Sequence, residues 1–414
     1  MTQVFSDMLY LFTCAAHGVQ PEKKPDMDLD GIYHKAASQG VLPLVLTSFK
    51  ELYMDDGAII CGTSLEYHIK RLRMQALLNI QRGHIIHNAI KQLADNGISC
   101  CVLKGDTVAG LYKNPECRIS GDTDIYVGED DKTISKSIKI FEENGFEFSG
   151  DPPNSHHFRA YHETAGLLEL HRSLYKELFI DVWFDNKTSL SEPFRTVYSP
   201  TGCEIPALGV NDGLMYIYLH MVKHFLRGGI GIRPLMDVLF YVRNYKSEID
   251  FKRFHELIRH LKYDKFFYAI IFIGVKYLGF TADDLYYLPS DESTAEKLLS
   301  DMENSGLFGQ DEEWRSSFKD VYNEQRFNRF KTEDYTEYMS AWKKESLFKK
   351  FFMNRVRIKT MYPYVARHSF FLPIAWLHRA YLYVRKLFNK RKNHLAHTDL
   401  LRMRLDLIRE LDMI

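Results

Sequence analysis

The chain has 414 residues, of which 45% are hydrophobic and 26% charged, a balance that belongs to folded globular proteins and excludes wholesale disorder. Fifty-four Lys and Arg stand against fifty-four Asp and Glu, so overall charge offers no argument for a nucleic-acid partner. Six cysteines (Cys14, Cys61, Cys100, Cys101, Cys117 and Cys203) form no C-x-x-C pair and no zinc-like spacing, which argues against a structural zinc site.

Residues 1–95 read as a helical region. Its clearest segment runs from Leu65 to Leu93, with apolar residues near helical spacing, and Thr63 with Glu66 fits a capping box at its start. Gln20 to Gly31 is a polar loop that divides the earlier helices. Asp95-Asn96-Gly97 ends the long helix, and the texture then changes. Ile98 to Leu103 suits a buried strand, Thr107 to Tyr112 a brief helical piece, and Thr123 to Val127 a second strand. Ile134, Ile138 and Phe141 mark an amphipathic helix closed by Asn144-Gly145, and Phe158–Tyr161 with Leu167–His171 suggest a hairpin. This order makes residues 96–209 an α+β domain. Helices return in residues 210–414, with Asn211 and Asp212 as candidate N-caps for Leu214–Leu226 and Leu235–Val242 following a Gly-Gly break.

One constellation carries chemistry. Asp122-Thr123-Asp124 opens a strand, where residues two apart share a face. Two carboxylates side by side repel unless a cation lies between them, and Mg²⁺ prefers such hard oxygen ligands. Glu169 sits in the alternating run Leu168-Glu169-Leu170-His171, so Glu169 and His171 share a face and a third carboxylate becomes available. Lys104-Gly105-Asp106 lies at a strand-to-helix turn, where glycine lets backbone approach a phosphate; Lys104 and Arg118 add positive charge.

Together, Cys101-Val-Leu-Lys-Gly105, Tyr112-x-x-Pro115 and Arg118-x-Ser120-x-Asp122-x-Asp124 resemble the nucleotidyltransferase-fold superfamily. Within it, the segment looks like a bacterial family of uncharacterised nucleotidyltransferases and is similar to the abortive-infection toxins. That family pairs the glycine turn and D-x-D with a later Glu-x-His, matched here by Glu169 and His171. The resemblance implies a small mixed-sheet nucleotidyltransferase core between helical regions, a nucleoside triphosphate donor, and Mg²⁺ or Mn²⁺. It implies metal ligation by Asp122, Asp124 and Glu169, and nucleotide contacts from Lys104, Gly105, Asp106, Arg118 and Ser120. His171, Arg233 and Asp237 would support them, with the C-terminal helices closing over the nucleotide. Many superfamily members carry Gly-Ser or Gly-Gly at the turn, whereas this chain has Gly105-Asp106, whose charge would repel a triphosphate.

Each residue also has a structural reading. Asp122 and Asp124 suit a solvated turn after Gly121, and Glu169 an exposed strand position paired with His171 or Arg172. Lys104 suits a solvated strand end, and Arg118 a structural pair with Asp122. His220 and His224 share a helical face, and Asp237 would complete a metal site with them. No H-E-x-x-H or adjacent His-Asp pair supports it, and a packed histidine face is the simpler expectation. Residues 343–392 carry fourteen Lys and Arg and one Glu among many aromatics. This segment suits nucleic acid, an anionic membrane face or a polyanionic acceptor, and equally helices whose basic side chains snorkel.

No signal-peptide pattern opens the chain, and the longest uncharged apolar run, Phe370 to Leu377, is far below the about 20 residues a bilayer-crossing helix needs. The expected location is therefore cytoplasmic, or peripheral at the inner membrane face. Four functions remain open: an Mg²⁺-dependent nucleotidyltransferase with an unidentified acceptor, a catalytically silent nucleotide-binding sensor of the same fold, a toxin-like enzyme that modifies RNA or protein, and a metal hydrolase centred on His220, His224 and Asp237.

Overall fold

The computed structural model describes residues 1–150, 156–174, 192–286, 290–306, 358, 362, 365, 369–389 and 394–413. Helix α1 (Gln3–His17) begins where Thr2 Oγ1 accepts the Phe5 N–H, and ends at Gly18 in the left-handed region. Helices α2 (Leu29–Ser38) and α3 (Leu42–Tyr53) follow, so the polar loop from Gln20 stops at the Asp28 N-cap, before Gly31. Strands β1 (Ile59–Ile60) and β2 (Thr63–Ser64) form a small antiparallel hairpin before α4 (Leu65–Asp95). Ser64, not Thr63, caps α4 by accepting the Tyr67 N–H, because the helix begins at Leu65, directly after Ser64.

The α+β core then unfolds along the chain. Strand β3 (Cys101–Val102) leads into α5 (Asp106–Ala109), a 3₁₀ turn (Pro115–Cys117) and β4 (Asp122–Tyr126). Helix α6 (Asp131–Glu143), β5 (Glu147–Phe148), β6 (His157–His162), β7 (Gly166–His171), β8 (Arg195–Tyr198) and β9 (Glu204–Ala207) complete it. The seven strands lie in the order β5-β6-β7-β4-β3-β9-β8. The β4–β7 and β3–β9 pairs are parallel and the others antiparallel, a mixed sheet.

The remaining described helices are α7 (Val210–Gly228), α8 (Ile232–Tyr245), α9 (Phe251–His260), α10 (Asp264–Tyr277), α11 (Glu292–Ser305), α12 (Leu372–Asn389) and α13 (His394–Glu410). Asn211 and Asp212 lie inside the first turn of α7 rather than at its cap, which is Gly209. Their polar groups are taken up by Glu192: its carboxylate accepts the Asn211 backbone and side-chain N–H groups, and Asp212 Oδ2 accepts the Glu192 N–H.

Two cores fix the sheet. On one side Ile86, Ala89, Ile90 and Leu93 of α4 and Ile134, Ile140 and Phe141 of α6 pack on Ile125, Leu168 and Leu170. On the other side, Cys101 and Tyr126 join a large core shared by Phe5 and Phe12 of α1, Phe49 of α3, Tyr218 of α7, Phe240 of α8 and Phe267 of α10. Each fully buried aromatic side chain contributes roughly 2 kcal/mol through lost apolar surface. Ile358, Tyr362, Val365 and Ala375 form a third, small cluster with α12. Most of the basic segment 343–392 lies outside the described residues, apart from 358, 362, 365 and 369–389. Among the described residues, no helix is long and apolar enough to cross a membrane.

Candidate active site

Alternation along β4 divides its side chains between the two faces. Ile125 turns into the α4–α6 core, and Thr123 Oγ1 accepts a hydrogen bond from Arg82 Nη2 of α4 at 2.6 Å. Asp122 and Asp124 therefore point the other way. The parallel register with β7 sets Asp124 opposite Glu169 and Tyr126 opposite His171, and antiparallel β6 sets His157 opposite His171. Polar side chains from three adjacent strands thus share one face: Asp122, Asp124, Glu169, His171, His157 and, opposite Glu169, Arg159.

Their charges are dense. Lys104 Nζ lies 3.3 Å from Asp122 Oδ2 and 3.0 Å from Asp124 Oδ2, while His171 Nε2 sits 3.0 Å from Asp124 Oδ1. Glu169 lies 3.7 Å from the ring nitrogens of both His157 and His171. Burial works against the charges of Lys104, Asp124, Glu169 and His171, but their partners outweigh it. Asp124 and Asp122 hold Lys104 above its ordinary range, and Lys104 with His171 holds Asp124 below its own. His171 and His157 depress Glu169 against its burial penalty. Against the same penalty, hydrogen bonds to Asp124 and Glu169 raise His171 to about 9, so it carries a proton at neutral pH.

The residues fit a divalent cation. Ligating oxygens of Asp122, Asp124 and Glu169 all lie within 4.8 Å of one another. Buried Asp124 Oδ2 has no hydrogen bond of ordinary geometry, only the Lys104 ammonium nearby. Three hard oxygens around one point is the donor chemistry of Mg²⁺ or Mn²⁺. His157, Glu169 and His171 form a second such group that shares Glu169.

The glycine turn is braced by its surroundings. Gly105 takes φ +76°, and a Cβ there would stand 2.8 Å from Ser120 Oγ, so only glycine fits. Ser120 Oγ accepts from Arg118, and its carbonyl accepts from Arg82 Nη1 at 2.7 Å. Arg118, read structurally as a partner of Asp122, instead makes a buried bidentate pair with Asp237 of α8, Nε lying 3.1 Å from Oδ1. Tyr112 OH donates to the same oxygen at 2.8 Å. Arg233, one turn earlier on α8, donates to the Ile119 carbonyl at 2.7 Å. Both α8 residues thereby clamp the segment that leads into the D-x-D.

That clamp removes Asp237 from any site with His220 and His224, whose ring nitrogens lie 3.3 Å from each other. Among the described residues, the three do not form a metal-ligating group. His220 is half-buried and His224 exposed on α7, and the Lys104 positive charge disfavours a proton on either ring. Arg82 and His157 escaped the sequence reading. For His157 the signal was its place opposite His171 in the hairpin; for Arg82, on a long polar helix face, there was none.

No curated protein and no solved structure matches the chain. The family model for uncharacterised nucleotidyltransferases does match, from residue 25 to residue 279, more than half of the 414 residues and the whole of the site above. The chain belongs to that nucleotidyltransferase family.

Proposed function

We propose that the chain transfers a nucleotidyl group from a nucleoside triphosphate to an acceptor, with release of pyrophosphate, at Asp122, Asp124 and Glu169. The observation that carries this reading is the parallel β4–β7 register, which sets the third carboxylate beside the D-x-D. Mg²⁺ or Mn²⁺ held by these three would supply charge to the phosphoryl oxygens and acidify the attacking hydroxyl.

The chain's own residues align and balance. Lys104, now between Asp122 and Asp124, is within a small side-chain swing of any phosphate on those carboxylates. The Gly105 turn keeps backbone close to the triphosphate. Glu169, held below the ordinary carboxylate range, is a better ligand than base. Protonated His171 fixes the orientation of Asp124. The similarity of these motifs to those of abortive-infection toxins would extend the proposal to RNA or protein acceptors.

The test is a calorimetric Mg²⁺ titration with each of the four nucleoside triphosphates, on wild type and an Asp122→Asn/Asp124→Asn variant, with pyrophosphate release read in an acceptor extract. Metal-dependent binding that vanishes in the variant supports the reading. Binding without any pyrophosphate release favours the silent sensor, and equal binding by the variant overturns the site.

A further inference from the structure

A surface far along the chain from the carboxylates has a chemistry of its own. Phe370 lies on the 3₁₀ turn Ser369–Phe371 that leads into α12, and Ile374, Leu377 and Tyr381 follow at steps of four, three and four. At 3.6 residues per turn these positions fall in one narrow stripe. All four are exposed, at 73%, 52%, 71% and 61%. The stripe is not the packing face of the helix. Ala375 is fully buried, and Phe371, Leu372 and Trp376 pack with it on Ile358, Tyr362 and Val365 on the other side. Scattered exposed apolar residues are ordinary, but four large ones aligned on one helix face mark a contact surface.

Charge says what the contact is. Residues 346–398 contain twelve Lys and Arg and no Asp or Glu, in a chain whose formal net charge is zero. The basic excess is therefore local, and the rest of the molecule is acidic by the same amount. A stretch of sequence that is strongly cationic and carries an exposed apolar and aromatic stripe matches a surface that is anionic outside and apolar just beneath, which is a bilayer with acidic headgroups. No described helix crosses a membrane, so the match is to a helix lying on the surface. Nucleic acid would use the positive charge but leave Ile374 and Leu377 in water; a second copy would use the stripe but be repelled by the charge.

From this we infer that α12 docks the protein on anionic lipid, through Phe370, Ile374, Leu377 and Tyr381, with the surrounding Lys and Arg drawn to the headgroups. The inference does not depend on the nucleotidyltransferase reading. If both hold, the acceptor belongs to the class of molecules held at a membrane face.

The experiment is co-sedimentation of the full chain with phosphatidylcholine vesicles, with and without about 30% phosphatidylglycerol, for wild type and Ile374→Asp/Leu377→Asp. Both replaced residues are exposed, and circular dichroism with thermal unfolding checks that the variant is folded. Wild type is expected to partition at least about tenfold more strongly onto the anionic vesicles, less so at high salt, with the variant losing at least about tenfold. Equal partition onto both vesicle types, none onto either, or a variant that binds as wild type does would overturn the inference. So would single-stranded RNA or DNA capture that the variant abolishes in place of lipid binding, or a lipid-free dimer that the variant dissolves.

Discussion

Two buried aspartates, Asp237 and Asp124, face cations in this molecule, and they are built for different ends. Asp237 meets Arg118 in a bidentate pair and takes a further hydrogen bond from Tyr112, so one negative charge meets one positive charge and both oxygens are used. Asp124 shares its face with Asp122 and Glu169, so three carboxylates crowd around Lys104 and protonated His171, and one Asp124 oxygen lacks an ordinary hydrogen bond. The first is a closed, balanced ion pair whose loss strands a charge. The second gathers three carboxylates around shared cations, the hard-oxygen donor set that a divalent cation would take. Burial alone does not distinguish a structural acid from a functional one; the count of partners does.

The comparison is tested hardest at the cluster. Asp122→Asn/Asp124→Asn is expected to lower pyrophosphate release by about a thousandfold or more. Metal-free thermal unfolding should move to lower temperature as well, because Lys104 and His171 lose carboxylates that hold their charges. Full pyrophosphate release by the folded variant would break the contrast. At the other site the expected effect is on stability first. Asp237→Ala leaves the Arg118 guanidinium buried and unpaired, at a cost of about 3–5 kcal/mol in chemical denaturation, and loosens the segment ahead of the D-x-D. Unchanged stability there would show that the pair is dispensable.

His171 links the two behaviours through pH. Its raised value, about 9 against an ordinary 6.5, means the folded state holds the proton more tightly than the unfolded chain. That stabilisation is fully present below about pH 6.5 and is lost as pH rises through about 9, on the order of 2 kcal/mol. Metal-free denaturation curves of wild type and His171→Gln between pH 6 and pH 10 should converge at the alkaline end; parallel curves would remove the imidazolium from the site. The smallest effect concerns geometry. Gly105→Ala forces a left-handed φ and a close approach to Ser120 Oγ, and is expected to cost about 1–2 kcal/mol of stability. Its nucleotide affinity, measured alongside, sharpens the contrast if it falls more than the stability loss alone accounts for.

Much of this site was open to reading from local patterns. Asp122 and Asp124 announce themselves because a two-residue period on a strand is a local rule, and Glu169 with His171 obeys the same rule between apolar neighbours. The hairpin of β6 and β7, the mixed α/β order and the glycine turn follow from residues within a few positions of one another. Caps were read less well. Ser64 competes with Thr63 one position away, and the α7 start is satisfied by Glu192, nearly twenty residues earlier, which no window around Asn211 contains.

The sequence by itself determined which side chains alternate onto one strand face, because β geometry is set by neighbouring peptide units. Only the tertiary structure decided which strands lie side by side, and so that Glu169 rather than another acid joins the D-x-D. It also decided that Arg118 serves Asp237, that Arg82 braces Ser120 and Thr123, and that His220 and His224 stand apart from Asp237. These partners lie up to 119 residues apart, and what brings them together is the burial of two apolar cores, a non-directional force that leaves no mark at either partner's position in the chain.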